Sequence, residues 1–416
     1  MAAQDYFFEV KTPDEVRGIL SEIARRLPSE TIELSEDCLG RILSEDVRSP
    51  VDLPGFDRAI MDGFAVRAQD TFGASPGAPA YLKVVGEVKM GTPATGNLSA
   101  GEAMGVATGS MMPPGADAVV MVEYTDFLDD ETVEIVRSVA PGDHVVGKTD
   151  DVSEGDIMMP RGHSVRAQDV GALAGMGITS IAVVRRPRVA IISSGDEIIP
   201  PGETLKMGQI WDINSYSLSC LAQQAGGVPI RMGIVRDDFD SLKASLTEGM
   251  EKADIALISG GSSVGARDVT IDVIRSYDDA EVLVHGVSVR PGKPIIIATV
   301  GDKYLFGLPG NPVSVMVTFD LFVGFLIKLL MGEKQSIWEP RYVKARLNRN
   351  IASAPGREDY VSVRLIKSDG EMLAEPVLGR SALISTMVKA DGLIKIPLES
   401  EGLEEDTEVE VAIFAC

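Results

Sequence analysis

Ile255-Ala256-Leu257-Ile258-Ser259-Gly260-Gly261-Ser262-Ser263-Val264-Gly265, closing at Asp268, is the stretch that decides how this chain is read. Its first half is continuous and apolar, as in a short strand buried on both faces. Its second half is glycine and serine and runs toward a helix. Glycines let a backbone approach a phosphate closely, Ser262 and Ser263 add hydroxyl donors, and a helix start offers free N–H groups at a positive dipole end. Open α/β sheets bind ligands at the carboxyl ends of their strands, where this loop would lie. A plain strand-to-helix turn can have the same spelling, so the reading depends on what surrounds it.

Outward from that loop, strands and helices alternate. After the linker Arg185-Arg186-Pro187, Val189–Ile192 is apolar and β-branched, and Asn214 is placed to cap a helix that stops at Gly226-Gly227. Val228–Val235 reads as a strand, Ser241–Lys252 as a helix, and a further helix follows from about Asp268. Strands are expected at Pro294–Val300 and Tyr304–Gly307, with Asn311-Pro312 opening the last helix as N-cap and first residue. Such alternation predicts an α/β domain with a largely parallel sheet. Beyond Trp338 only strand-like runs remain, at Tyr342–Leu347, Tyr360–Ile366, Gly392–Ile396 and Glu408–Phe414, predicting a small barrel or sandwich. The acidic stretch Glu399–Glu410 alternates with apolar residues, like the wet face of an edge strand. Before the linker, residues 12 to 27 form an amphipathic helix pattern opened by Thr12, Pro13 and Glu15. Short runs such as Tyr81–Val85 and Val119–Val122, set between Gly and Pro clusters, make residues 50 to 145 β-rich, and a short helix at Gln168–Gly177 leads to a strand at Ile181–Val184.

Bulk chemistry narrows the partners. The net charge is −23, from 39 basic and 62 acidic residues, which repels nucleic-acid phosphates and anionic lipid. Any anionic ligand then needs a local basic pocket. Cys38, Cys220 and Cys416 are far apart and odd in number, so no disulfide framework is visible and a reducing cytoplasm fits. His144, His163 and His285 lack zinc spacing or an adjacent nucleophile. The first residues have no signal-peptide pattern. The apolar run Val313–Met331 contains Asp320, Gly324 and Lys328, which favours a buried helix over a membrane span.

Three further clusters fall among these elements. Ser193-Ser194-Gly195-Asp196-Glu197 follows a strand at the same sheet end as the glycine loop, and Asp237-Asp238 follows another, although Asp238 could equally cap the next helix. Taken alone, Gly195-Asp196-Glu197 reads as a solvated turn, but carboxylates gathered near a phosphate need a cation between them, so Mg2+ is implied, with Asp196, Glu197 and Asp237 or Asp238 as its candidate ligands. Arg290-Pro291-Gly292-Lys293-Pro294 carries two cations on a stiff loop in an acidic protein, and Gly307-Leu308-Pro309-Gly310-Asn311-Pro312 is a second tight loop before a helix.

Taken together and in this order, the motifs resemble one family. Met61-Asp62-Gly63-Phe64-Ala65-Val66 is similar to the M-D-G-Y-A signature of the molybdopterin molybdenumtransferases, the MoeA and gephyrin E-domain family. Thr108-Gly109 with Pro114-Gly115-Ala116-Asp117-Ala118-Val119-Val120, Ser194-Gly195-Asp196-Glu197, the complete G-G-x-S-x-G-x-x-D loop, P-G-K-P and G-L-P-G-N-P-V-S all match it, over about residues 50 to 320. Phe64 stands where Tyr is usual, Ser194 where Thr is common, and Arg290 where Lys is common, which turns a point charge into a bidentate fork.

The resemblance implies a multidomain α/β plus β fold. It comprises an elongated N-terminal α/β domain (1–49 and 146–185) with an inserted β-rich domain (50–145), a three-layer α/β molybdopterin-binding domain with a mostly parallel sheet (186–336) and a C-terminal β-barrel (337–416). It also implies a Mg-dependent insertion of molybdate, or tungstate, into adenylylated molybdopterin with release of AMP. The enzyme would be a cytoplasmic homodimer with a cleft shared between subunits, and the molybdopterin adenylyltransferase would be a further partner. Carried onto these residues, Gly260, Gly261, Ser262, Ser263, Gly265 and Asp268 would hold the pterin's phosphate end. Arg290 and Lys293 would neutralise phosphate or molybdate, and Pro309 and Asn311 would line the substrate. Asp62 and Thr108 would act on the reacting end, Glu197, Asp268 and Lys293 would join the catalytic set, and Arg357 and Ser381 would line an anion site. A nucleotide-splitting enzyme of the competence-damage type shares the glycine loop but lacks the M-D-G and G-A-D stretches. A non-enzymatic scaffold is disfavoured because no long linker or extra domain is visible, and a sensor that merely binds molybdate or pterin is disfavoured by the clustered carboxylates.

Overall fold

The computed structural model describes residues 10–260, 264–333, 341–368 and 370–414, with the side chains of 264–268 left aside. The first element, α1 (Pro13–Ile23), is set by its cap: Thr12 Oγ1 accepts the Glu15 amide while the Glu15 carboxylate accepts the Thr12 amide. It ends four residues short of the expected Leu27. Leu27 precedes a proline, which disfavours helix, and the segment turns outward so that the Arg25 amide donates to the Tyr304 hydroxyl and the Leu27 amide to the Leu330 carbonyl.

The contacts divide the chain into two units, one of Met1–Ile32, Leu39–Ser44 and Ala182–Cys416, the other of Glu33–Cys38 and Glu45–Ile181. In the second, smaller unit a six-stranded sheet is built from β1 (Gly63–Val66), β2 (Ala80–Glu87), β3 (Glu102–Val106), β4 (Ala118–Met121), β5 (Thr125–Asp129) and β6 (Thr132–Ile135), in the order β4-β1-β3-β2-β6-β5. Period-2 alternation gives it two apolar faces: Phe64, Val66, Val120 and Ile135 pack on one side, Ala65, Met104 and Val119 on the other. In the short helix α2 (Ala167–Gly175) Asp169 sits in the first turn, where its carboxylate accepts from the Arg166 amide and guanidinium and meets His163 Nε2 at 2.6 Å, so that ring nitrogen is occupied.

The larger unit holds the alternating domain. β7 (Arg188–Ser194), α3 (Asn214–Gln224), β8 (Val228–Val235), α4 (Phe239–Lys252), β9 (Ile255–Gly260), α5 (Val264–Arg275), β10 (Ala280–His285), β11 (Val289–Arg290), β12 (Ile296–Val300) and β13 (Lys303–Leu308) follow one another. The sheet order is β8-β7-β9-β13-β12-β10, parallel from β8 to β13 and antiparallel through β12 and β10. Both faces are covered, which is why its strands read as continuous apolar runs. Ile191, Leu257 and Phe306 pack with Leu20, Leu218, Phe322 and Leu326 on one side, and Ala190, Ile192, Ile258 and Leu305 with Leu242, Leu246 and Ile274 on the other.

Two expectations need correction here. The helix after the glycine loop begins at Val264 rather than near Asp268, so it takes in Gly265 and Asp268. Asn214 is the first residue of α3 and not its cap; the Asp212 carboxylate accepts the Ser215 amide at 3.0 Å instead.

α6 (Pro312–Thr318) passes through a π-helical turn, Phe319–Val323, into α7 (Gly324–Met331). The continuous helix of 20 residues is long and apolar enough to cross a membrane, yet 78% of its apolar window is buried inside the protein, as a core helix. The last elements are β14 (Tyr342–Leu347), β15 (Glu358–Ser368), β16 (Glu371–Pro376), α8 (Ser385–Val388), β17 (Gly392–Ile396) and β18 (Glu408–Ile413). Strands β15, β16, β14, β18 and β17 are hydrogen-bonded in that order and β17 returns to β15, closing a five-stranded barrel around Leu347, Val363, Ile394 and Val411. Closure corrects the reading of the acidic stretch: β18 has a partner on each side and is no edge, although Glu408 and Glu410 do face water.

The Arg185-Arg186-Pro187 segment is more than a linker. Arg185 forks onto Asp254 at 2.8 and 2.9 Å, and the Arg188 amide adds a third bond at 2.8 Å. Burial alone pushes the Asp254 carboxyl up, but these hydrogen bonds outweigh it and hold the group below its ordinary range. A folded-state value below the unfolded one means stability that is present at neutral pH and lost as pH falls through the acid range. Asp254→Asn is therefore expected to cost about 2 kcal/mol at pH 7, with the difference from wild type shrinking as urea melts are repeated toward pH 3.

Candidate functional site

Three parallel strands end side by side, and their last residues make the site floor. Ser194 and Gly260 are register partners on β7 and β9, and a Cβ on Gly260 would lie 2.0 Å from the Ser194 carbonyl oxygen. Only glycine permits that approach. Ser193 Oγ donates to Asp212 at 3.0 Å. Asn214 Nδ2 donates to Ser259 Oγ and to the Gly310 carbonyl, both at 2.8 Å, pinning the end of β9 to the loop after β13. A carbonyl can only accept, so the amide's orientation is fixed and its Oδ1 is left buried without a partner among the described residues. Asp212 and Asn214 belong to the site floor and were not among the expected residues. The glycine loop follows directly: Gly260 is placed, Gly265 and Asp268 lie in the first turns of α5, and Gly261, Ser262 and Ser263 lie outside the described residues.

The four expected metal carboxylates do not gather. Asp238 is the N-cap of α4 and accepts the Ser241 amide at 2.9 Å, which draws its pKa below the ordinary value. Asp237 accepts the Ser194 hydroxyl, and Asp196 and Glu197 are exposed on the neighbouring loop, whose Gly195 amide donates to the Val235 carbonyl. Among the described residues no group of three or more Asp, Glu, His or Cys is placed to hold a metal ion. Mg2+ often takes one or two protein carboxylates and completes its shell with water and phosphate oxygens. Hard oxygen donors on two adjacent loops fit that use; a closed protein cage is not built.

The cations converge elsewhere in the same unit. Arg290 on β11 and Arg357 just before β15 both bond to Asp359, Nη1 at 3.3 Å and Nε at 2.9 Å. Gly292, at φ +119, lets the loop after Arg290 lie against α6, since a Cβ there would be 2.3 Å from Thr318 Cγ2. Lys293 on that loop is exposed and makes no side-chain bond among the described residues. Pro309 is buried, and Asn311, though the N-cap of α6, donates its Nδ2 to Ser381 Oγ at 3.1 Å rather than capping. The Val313 amide donates to the Ser381 carbonyl at 3.1 Å. Thus Arg290 meets Arg357 through Asp359, and Asn311 meets Ser381.

In the smaller unit Asp62 and Thr108 come together as one group. The Asp62 carboxylate accepts the Thr108 amide at 2.7 Å and its hydroxyl at 2.9 Å, and those bonds, the amide first, lower its pKa. Gly63 follows because a Cβ there would be 2.0 Å from the Val120 carbonyl oxygen across the sheet. The G-A-D portion of the sequence serves the scaffold: Gly115, at φ +92, passes under Leu98, and Asp117 accepts the Ala68 amide at 2.6 Å.

A largely parallel sheet with glycine-rich loops at its carboxyl edge, followed by a closed barrel, defines a multidomain α/β plus β fold of the kind that takes ligands at that edge. Comparison with known proteins agrees along the whole chain. Residues 11–177 match the MoeA N-terminal region (domain I and II), 190–328 a probable molybdopterin binding domain, and 344–414 the MoeA C-terminal region (domain IV). A putative molybdopterin biosynthesis protein of Methanocaldococcus jannaschii is 36% identical over 91% of this chain and 90% of its own length. The molybdopterin molybdenumtransferase of Bacillus subtilis is 32% identical over 98% and 95%. A crystal structure of the molybdopterin biosynthesis MoeA protein of Pyrococcus horikoshii superposes with a TM-score of 0.84 at 37% identity, covering 98% of this chain and 100% of that one. The chain belongs to the MoeA family.

Proposed function

We propose that this protein is a molybdopterin molybdenumtransferase that inserts molybdate into adenylylated molybdopterin and releases AMP. The observation that carries the reading is the paired guanidinium groups of Arg290 and Arg357 on one buried carboxylate, an oxyanion clamp in a protein of charge −23. The family's named relatives supply the reaction class.

In this reading molybdate exchanges one oxygen, which leaves as water with the two dithiol protons, for bonds to the two dithiolene sulfurs, while a further water splits the phosphoanhydride and frees AMP. Arg290, Arg357 and Lys293 hold the oxyanion, with Asn311 and Ser381 beside it. The Gly260–Gly265 loop and the start of α5 receive phosphate through backbone N–H groups. Bound Mg2+ would neutralise charge on the phosphoanhydride, with Asp196, Glu197 and Asp237 as its protein oxygens. Asp62, anionic at neutral pH, serves the reacting end with Thr108. No residue needs to form a covalent intermediate. The four-part division of the chain, a cytoplasmic location, a homodimer and an encounter with the adenylyltransferase complete the proposal.

The test is AMP release from adenylylated molybdopterin with Mg2+, measured without oxyanion, with molybdate and with tungstate. Release that requires the oxyanion supports the reading and names the preferred metal. Release that ignores it points to simple hydrolysis of the anhydride and overturns insertion.

A further inference from the structure

We infer that Asp359 is a positioning residue that makes Arg290 and Arg357 act as one clamp, an inference that rests on the oxyanion reading above. Its carboxylate is 5% exposed, while the Arg290 and Arg357 side chains are 60% and 37% exposed. Each carboxylate oxygen takes one arginine: Oδ2 takes Arg290 and Oδ1 takes Arg357. A guanidinium carries five N–H donors in a rigid fork. Each arginine spends one of these contacts on Asp359 and, among the described residues, has no other side-chain hydrogen bond or ion pair, so most of its donors are left for a ligand.

Two elements fix this arrangement. Arg290 and Asp359 are register partners where β11 runs parallel to β15, and the Glu358 amide donates to the Ser288 carbonyl at 2.8 Å. Arg357 lies two residues before Asp359, on the same face of the extended segment. Glu358 turns the other way and is occupied by the Tyr360 hydroxyl at 2.6 Å and Lys395 at 3.5 Å, so it does not compete for either arginine. Without Asp359 two like charges on separate elements would repel and swing apart. With it, two planar forks hang from one anchor, one held through Nη1 and the other through Nε, and a tetrahedral oxyanion needs donors from more than one group.

Asp359→Asn keeps the shape and removes the charge, and two physical effects then have opposite signs. A more positive site attracts a dianion more strongly, whereas a clamp without its anchor grips less well. The inference predicts that the anchor dominates. In the full-length protein, the molybdate concentration giving half-maximal AMP release should rise about tenfold, with kcat and the half-saturating adenylylated molybdopterin changed far less. Molybdate affinity measured by calorimetry should fall alongside it. Asp359→Glu, which keeps the charge, should recover part of the loss. Should Asp359→Asn fail to fold, Asp359→Glu still decides: a rise in half-saturating molybdate without a matching fall in kcat supports positioning. An unchanged or lower half-saturating molybdate in the folded variants overturns the inference while leaving the oxyanion reading intact. Oxyanion-independent release by wild type overturns both.

Discussion

Asp62→Asn is expected to lower oxyanion-dependent AMP release by roughly 100-fold or more, with no comparable loss of stability. The carboxylate is exposed, and its hydrogen bonds come from the Thr108 amide and hydroxyl. The substitution preserves an oxygen for both donors, so the loop keeps its shape and the melting temperature should hardly move. What disappears is the negative charge, which the Thr108 bonds keep in place well into acid solution by lowering the pKa. A group with a depressed pKa loses its charge only as pH falls below the usual carboxylate range, so the wild-type rate should not begin to fall on this account near pH 5. Thr108→Val, which removes the hydroxyl but leaves the amide, should have the smaller effect of the two. A rate for Asp62→Asn within threefold of wild type would reduce Asp62 to a loop-shaping role.

Gly260→Ala should be severely damaging for a single added methyl group. The added Cβ would meet the Ser194 carbonyl oxygen at 2.0 Å and its carbon at 2.7 Å. Both are backbone atoms of the adjacent strand, so no side chain can swing aside. Relief requires β7 and β9 to part at the end where the glycine loop begins, an overpacking cost of about 3 kcal/mol. Urea denaturation should show that loss, and equilibrium binding of adenylylated molybdopterin should weaken with it. Gly171→Ala is the matched control: it lies in α2 with nothing within 4 Å of the new Cβ, and a helix gains up to about 1 kcal/mol from that change. If both variants behave alike, the close approach of the strands has been misjudged.

The legible parts of this fold were those in which local chemistry and tertiary structure agree. Thr12, Pro13 and Glu15 spell a capping box and form one, and the buried strands from Val189 and Ile255 announce themselves by unbroken apolar runs. The strands at Ala280–His285 and Glu371–Pro376 went unread because charges and partly exposed positions blur their pattern. Asn214 misled for a different reason: asparagine is a good cap, but this one spends both its N–H bonds on residues 45 and 96 positions away. Asp359 was equally invisible, as an acid in an Arg-Glu-Asp stretch reads as surface until Arg290, 69 residues earlier, is folded against it. Asp238 shows the converse: the local signal for a cap was present, and the carboxylate is used as one. Spacing along a chain reports caps and faces, whereas tertiary polar contacts depend on register that no short window contains.

The apolar helix from Pro312 to Met331 has a consequence for how the protein is made. By length and composition it could enter a lipid bilayer, and it stays out because the sheet covers it. All six strands of that sheet precede it in the chain. During synthesis the chain emerges from its amino end, and domains fold as units while it does so. The helix therefore leaves the ribosome after every strand it packs on has been synthesised, which shortens the interval in which a chaperone or membrane could capture it. A rearranged chain that placed this segment first would carry the same contacts in its native state and a far greater hazard on the way there.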